Sequence, residues 1–321
     1  MALKKYVIVT GAAGFIGSHL CDRLLADGHK VVGVDCFTDY YDRRIKEANL
    51  APAIANHRFQ FVEADLLAAN LAPLLDGAGL IYHIAGQPGV RGSWGHQFDL
   101  YTRNNILATQ RVLEAALACG RLPVVYAASS SAYGNLSTMP LHEDMAPAPV
   151  SPYGVTKLAA EHLCRLYAEV HDLPTIALRL FTVYGPRQRP DMAFQRFLTA
   201  QRRDQEITIY GDGTQTRDFT YVGDVVRAFL LAGAASQVRS SAGMVFNVAG
   251  GSRVTVNDVL AQIGHITGHR PHVRYLPAQP GDVRDTWADT VRAEAVLGFS
   301  ASMPLADGLA EQWRHIVGNE V

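Results

Sequence analysis

Tyr153 and Lys157 stand four residues apart in SPYGVTKLAAEH, residues 151–162. Pro152 suits the first turn of a helix, and Leu158, Ala159 and Ala160 favour its continuation. On such a helix the two side chains share one face, about 5.4 Å apart along the axis. A phenol has a solution pKa of about 10, too high for a base at neutral pH, and a neighbouring ammonium favours its phenolate. The pair therefore suits removal of a proton from a hydroxyl, with Tyr153 as general base and Lys157 as its cationic neighbour. Ser129, Ser130 and Ser131 in AASSSAYG, residues 127–134, end an apolar run and offer hydroxyls to hold the same oxygen. Taken singly, these features also fit a solvated helix face and a hydrogen-bonded loop, so the surrounding chain has to decide.

Gly11, Gly14 and Gly17 recur at every third position in VTGAAGFIGSHL, with Phe15 and Ile16 between the last two. They follow the apolar run YVIVT and open a helical stretch. Glycines there permit a tight turn and close approach of backbone to a pyrophosphate, while the helix amino end offers free N–H groups and a positive dipole. Asp35 closes the next apolar run, VVGVD, roughly 20 residues on, where a carboxylate binds both ribose hydroxyls and repels a 2′-phosphate. The expectation is a dinucleotide site that prefers NAD to NADP. Asp65 and Leu66 in EADL are candidates for the adenine edge, and Ala85 and Gln87 in HIAGQ for the ribose and pyrophosphate. With NAD placed, loss of the hydroxyl proton to Tyr153 lets the carbon beneath pass hydride to the cofactor, whose positive ring also favours the phenolate.

The scaffold for these residues is written in the hydrophobic pattern. Short apolar runs at 6–10, 31–35, 59–63, 80–85, 123–129 and 175–181 alternate with helical stretches, clearest at 14–27, 99–119 and 153–171. This predicts an α/β fold, a doubly wound parallel sheet whose ligands bind beyond the carboxyl ends of the strands. After residue 181 the pattern loosens into VYGPRQRPDM and YGDGTQTRDF, with a further strand at 244–250, which predicts a smaller interleaved α/β lobe. The expected division is an NAD-binding domain at 1–180, with 218–250 returning to it, and a smaller substrate-binding lobe at 181–217 and 251–321.

The chain has 321 residues, is 48% hydrophobic and carries a net charge of −1, so no overall field draws it to nucleic acid or an acidic membrane. Cys21, Cys36, Cys119 and Cys164 lack disulfide or zinc spacing, which suits reduced, mostly buried thiols, no metal centre and the cytoplasm. A strand-like run from Lys4 leaves no room for a signal peptide, and no apolar run nears the roughly 20 residues of a membrane span.

On these motifs the chain resembles the extended short-chain dehydrogenase/reductase family, whose nucleotide-sugar epimerases and dehydratases share the glycine pattern, the Ser/Thr strand end and the YxxxK. FTVYGPRQRPDMAF 181–194, ITIYGDGTQTRDFTYVGDVV 207–226 and PGDVRDTWAD 280–289 extend the resemblance to the nucleoside-diphosphate segments, over nearly the whole chain. It implies Ser129 or Ser130 with Tyr153 and Lys157 as catalytic residues, and Arg217 and Arg284 on the diphosphate, a role that arginine suits. Dehydratases and UDP-glucuronate decarboxylases of the family place an acid just after the Ser/Thr, where this chain has Ser130 and Ser131. The resemblance therefore implies simple 4-epimerisation through a 4-keto sugar, with NAD regenerated in each turnover.

The loop YGPRQRPDMAF is most similar to UDP-glucuronate 4-epimerases, in which an arginine and nearby hydroxyls hold the C6 carboxylate. Arg189 is the candidate here, with Thr182, Ser130 and Ser131 near it and Arg91 as a further anion contact. The alternatives are a UDP-glucose or UDP-N-acetylglucosamine 4-epimerase and a non-catalytic NAD sensor, the last disfavoured by the intact Ser/Tyr/Lys set. Cys36 and Gly86 depart from the family's usual Asn and Ala, and Thr182 stands where galactose epimerases usually have Asn, which weakens a UDP-galactose assignment. A homodimer is expected through the helices at 99–119 and 153–171, on an apolar stripe that includes Leu158, Leu163, Leu166 and Tyr167.

Overall fold

The computed structural model describes residues 6–237, 241–277 and 283–318. The chain runs through β1 (Tyr6–Thr10), α1 (Phe15–Ala26), β2 (Val31–Asp35), α2 (Arg43–Ile54), β3 (Phe59–Glu63), α3 (Ala72–Leu75), β4 (Ala78–His83), α4 (Phe98–Tyr101), α5 (Ala108–Ala118), β5 (Val124–Ser129), α6 (Pro152–His171) and β6 (Thr175–Leu180). It continues through β7 (Thr182–Tyr184), α7 (Ala193–Arg202), β8 (Ile207–Tyr210), β9 (Thr216–Tyr221), α8 (Val222–Ala235), β10 (Met244–Val248), β11 (Arg253–Thr255), α9 (Val256–Thr267), β12 (Val273–Leu276), α10 (Val291–Leu297) and α11 (Leu305–Gly318).

The apolar runs form a seven-stranded sheet in the order β10-β6-β5-β4-β1-β2-β3, with every neighbouring pair parallel. Burial on both faces explains the mostly apolar central strands and is complete along β5, whereas edge strand β3 stays partly exposed. Leu20 and Leu24 of α1 pack with Val225 and Phe229 of α8 on one face, and Val112 and Leu113 of α5 pack with Ala160 and Cys164 of α6 on the other. The strand order reverses between β1 and β4, so the connections leaving their carboxyl ends diverge and open a crevice there.

Two features of α6 fix the phase of its first turn. The Ser151 side chain accepts from Gly154 N at 3.1 Å, and Pro152 occupies the start of the helix. Further along, Glu161 takes a two-pronged grip from Arg179 of β6 at 2.6 and 2.8 Å, with both side chains buried. Removing either partner of such a pair strands a buried charge, at a cost of about 3–5 kcal/mol.

The stretch expected as one helix at 99–119 is α4, a π-helical turn at Thr102–Leu107, and α5. The turn carries Asn105 inward, where its side chain bonds Gln87 N at 2.6 Å, Gln87 O at 3.1 Å and Thr156 Oγ1 at 3.0 Å. Hydrophobic periodicity does not report such a polar anchor. On α6 the expected apolar stripe divides: Tyr167 lies in the core and Leu163 packs against it, while Leu166 is 50% exposed beside exposed Val155 and Val170.

After β6 the chain builds a small sheet in the order β11-β9-β7 and a parallel pair of β8 with β12. Asp218 of β9 ties this part to the large sheet by accepting from Gly250 N at 2.9 Å, Gly251 N at 3.1 Å and Ala288 N at 3.2 Å. Ala293 and Leu297 of α10, with Phe299, pack in the core beneath the large sheet. Among the described residues no helix is long and apolar enough to cross a membrane.

Two histidines are held neutral. Burial, aided by the charge of Lys157, pushes His83 down to about 3 while its ring bonds Thr10 Oγ1 at 2.8 Å and Thr109 Oγ1 at 3.1 Å. Burial likewise takes His19, bonded to Pro186 O at 2.8 Å, down to about 4. The unfolded chain takes up these protons near pH ~6.5, so stability present above that pH is lost as pH falls toward the folded values, by about 1.4 kcal/mol per pH unit for each group. Urea midpoints should therefore drop between pH 7 and pH 5, and His83→Gln, which keeps both hydrogen-bonding ends, should flatten the drop. An unchanged slope would show that His83 is not its source.

Candidate active site

Beyond the carboxyl ends of β1, β4 and β5 lies a cavity of about 700 Å³. Its floor at β1 is the glycine turn. Gly11 has φ +71°, and a β-carbon there would stand 2.7 Å from Ala85 N. At Gly17 a β-carbon would collide with the Gly11 carbonyl, so the turn and the start of α1 can close only without side chains. No side chain caps α1 and no acid sits in its first turn, which leaves its positive end for a phosphate. Phe15 is buried beneath the turn, and Ile16 joins the glycines in the cavity wall.

Asp35 stands at the end of β2 in the same wall, accepting from Ala13 N at 3.0 Å and Phe37 N at 2.9 Å. Asp35 thus braces the glycine turn and lines the cavity at once. Asp65 accepts from Leu67 N at 2.9 Å, and Leu66 is buried next to it at the cavity edge. Ala85 and Gln87 line the opposite side, Ala85 N donating to Thr10 Oγ1 at 3.2 Å. These donors, acceptors and missing side chains fit a dinucleotide.

At the end of β5 the Ser129 hydroxyl meets that of Tyr153, and Ser129 Oγ also accepts from Ser131 N at 3.2 Å. Ser130 and Ser131 line the cavity beside them. Burial raises the Tyr153 pKa, opposed by the Ser129 bond and by the charge of Arg189. Lys157 lies one turn further along α6 and reaches toward β5. Its ammonium donates to Ala127 O at 2.7 Å and lies 4.8 Å from the Tyr126 ring centre, and burial brings its pKa down to about 8. Arg189, across the cavity, adds positive charge that favours the Tyr153 phenolate.

Arg189, Thr182, Arg91 and Arg217 all reach the cavity from the other side. Arg189 is bound in both prongs by Asp191, Nε to Oδ1 and Nη2 to Oδ2, each at 3.0 Å. Burial works against its charge, yet Asp191 raises its pKa above the ordinary value. Arg91 lies 4.4 Å from the Tyr210 ring centre, and Arg217 donates to the carbonyls of Thr216 and Arg284 at 2.9 and 2.7 Å. Arg284 itself is not in the cavity wall: its guanidinium is turned to Thr214 Oγ1 at 3.2 Å and to the adjacent Asp285 at 3.5 Å, and it is largely exposed. Residues 280–282 of that segment fall outside the described residues.

Sequence reasoning missed Tyr40, Lys46, Asn105 and Asp191. Lys46 is buried, with Nζ on Thr38 O at 2.5 Å, and holds the loop after β2 beside the cavity. Helical spacing placed Lys46 nowhere in particular, and Asp191 carried a signal only through its nearness in sequence to Arg189.

A family model described as "NAD dependent epimerase/dehydratase family" matches residues 7–249. The chain belongs to that family. The uncharacterized UDP-glucose epimerase YtcB of Bacillus subtilis is 41% identical, over 95% of this chain and 96% of that protein. A UDP-glucuronate 4-epimerase of Thermodesulfobacterium geofontis is 34% identical, over 95% of this chain and 94% of that protein. The crystal structure of UDP-glucuronic acid 4-epimerase from Bacillus cereus, in complex with UDP-glucuronic acid and NAD, superposes with a TM-score of 0.93 at 42% identity, covering 98% of this chain and 99% of that one.

A carboxylate at the end of β2, where Asp35 stands, is expected to oppose a dianionic 2′-phosphate. Thermal-shift titration should show stronger stabilisation by NAD(H) than by NADP(H), and Asp35→Ala should narrow the gap. Equal stabilisation of the unmodified protein by both cofactors would refute this role for Asp35.

Proposed function

We propose that the protein is an NAD-dependent UDP-sugar 4-epimerase that converts UDP-glucuronate to UDP-galacturonate. The observation that carries the substrate choice is a guanidinium, Arg189, in the cavity wall close enough to Tyr153 for each to shift the other's titration. Bound NAD supplies the chemistry of taking hydride from C4 and returning it to the other face.

The chain's residues supply the rest. The glycine turn and Asp35 hold the pyrophosphate and ribose, with Asp65, Leu66, Ala85 and Gln87 along the adenosine and pyrophosphate path. Ser129 and Tyr153 hold the C4 oxygen, Ser130 standing next to them. Tyr153 takes its proton and gives it back, while Lys157, bonded to Ala127 O, holds positive charge behind the phenol. No acid stands at Ser130 or Ser131 to promote elimination. Arg189, with Thr182, Ser130 and Ser131, keeps the C6 carboxylate from aligning its C–CO₂ bond with the 4-keto group, the geometry in which a β-keto acid loses CO₂. Arg217 serves the diphosphate, Arg91 is a further anion contact, and Arg284 would have to turn inward to join them.

On this reading residues 1–180 with 218–250 hold NAD, and 181–217 with 251–321 take the nucleotide sugar. One observation favours a neutral hexose as the substrate instead: Arg189 already has a carboxylate partner in Asp191. An NMR time course with UDP-glucuronate and UDP-glucose separates the readings. The wild type should epimerise UDP-glucuronate faster. Tyr153→Phe should lower the rate about 10²–10⁴-fold. Arg189→Ala should lose UDP-glucuronate turnover selectively and release a decarboxylated 4-keto-pentose. Faster turnover of UDP-glucose by the wild type would overturn the substrate assignment, and equal loss of both activities in Arg189→Ala would remove Arg189 from it.

The protein is further proposed to work in the cytoplasm as a homodimer. Leu166, Val155 and Val170 stand exposed on α6, and Leu107 is exposed where the π-helical turn meets α5. Light scattering at micromolar concentration should give about twice the chain's 34.9 kDa; a monomer mass would rule this out.

A further inference from the structure

We propose that Asp191 is a specificity-determining residue: it competes with the sugar's C6 carboxylate for Arg189 and is held in that place by Tyr40. The inference rests on the reading of Arg189 given above.

A guanidinium recognises a carboxylate through two parallel N–H bonds in one plane. Asp191 already makes that contact, on the Nε and Nη2 edge at 3.0 Å for each bond. The pair is built into the loop. Pro190 separates the two residues with a fixed φ, and Met192 N closes the turn on Arg189 O at 3.1 Å. Tyr40 reaches over from the loop between β2 and α2 and donates to Asp191 Oδ2 at 3.2 Å. Space for the Tyr40 hydroxyl depends on Gly89, which has φ +99° and where a β-carbon would collide with it. Three segments remote in sequence thus converge on one ion pair.

A neutral hexose leaves this pair undisturbed. A uronic acid must either displace Asp191 from the guanidinium or bring a second carboxylate to its other edge, against like-charge repulsion. Either route makes Asp191 lower the affinity for the anionic sugar relative to the neutral one. It lowers the affinity for the epimerised product in the same way, because substrate and product carry the same carboxylate, and this favours release.

The test is calorimetric binding of UDP-glucuronate and UDP-glucose to NAD-loaded protein in which Tyr153→Phe stops turnover, with and without Asp191→Asn. Asparagine keeps the size of the side chain and removes its charge. Asp191→Asn should shift the ratio of the two dissociation constants toward UDP-glucuronate by roughly three- to tenfold, and Tyr40→Phe should shift it the same way by less. An unchanged ratio overturns the proposal. So does a shift toward UDP-glucose, which would make Asp191 a residue that positions Arg189 for the substrate. If the wild type epimerises UDP-glucose faster while the ratio still shifts as expected, the substrate assignment fails and the competition stands. If the wild type epimerises UDP-glucuronate and the ratio does not move, the competition alone fails.

Discussion

The backbone at the end of β1 lies directly against the backbone at the end of β4, with no side chain between them. A β-carbon on Gly11 would stand 2.7 Å from Ala85 N and 2.9 Å from Ala85 Cα, closer than such atoms ever come. The order of the sheet reverses at this pair of strands, so their connections part and a crevice opens over the contact. Several groups at the crevice are braced on this contact. Asp35 bonds Ala13 N of the turn, Thr10 bonds Ala85 N of the facing loop, and the start of α1 is aimed across both.

Several polar groups in and beside the cavity are already partnered within the protein. Lys157 has the Ala127 carbonyl, Asn105 has both polar groups of the Gln87 backbone, Asp35 has two N–H donors and Arg189 has Asp191. Buried charges and dipoles require such partners, because an unpaired one costs several kcal/mol in a medium less polar than water. Ligand recognition here is therefore an exchange of partners as much as an addition of new ones. Tyr153 obeys the same rule: burial raises its pKa, and the nearby serine and arginine oppose that rise without cancelling it.

Much of this was readable along the chain. The seven strands of the large sheet, the glycine turn and Asp35 follow from local rules, since strand burial, tight turns and helix starts each depend on a few adjacent residues. Tyr153 and Lys157 were readable as a pair because the helical period alone places them. The direction in which Lys157 points was not, because that depends on a carbonyl of β5, 30 residues earlier in the chain. Arg284 shows the same limit: its type suits a phosphate, but Asp285 beside it and Thr214 from another segment turn its side chain out of the cavity wall.

The sequence by itself determined the class of fold, the glycine turn and the helical pairing of Tyr153 with Lys157, because these are properties of contiguous segments with fixed periods. Only the tertiary structure decided who holds whom across the cavity. The π-helical turn that delivers Asn105 to Gln87, the grip of Asp191 on Arg189 and the reach of Tyr40 to that pair join segments separated by 18 to 151 residues wherever they join separate segments at all. No local period encodes such contacts. They form because folding brings the ends of the strands together and each polar group removed from water takes the nearest partner that geometry allows.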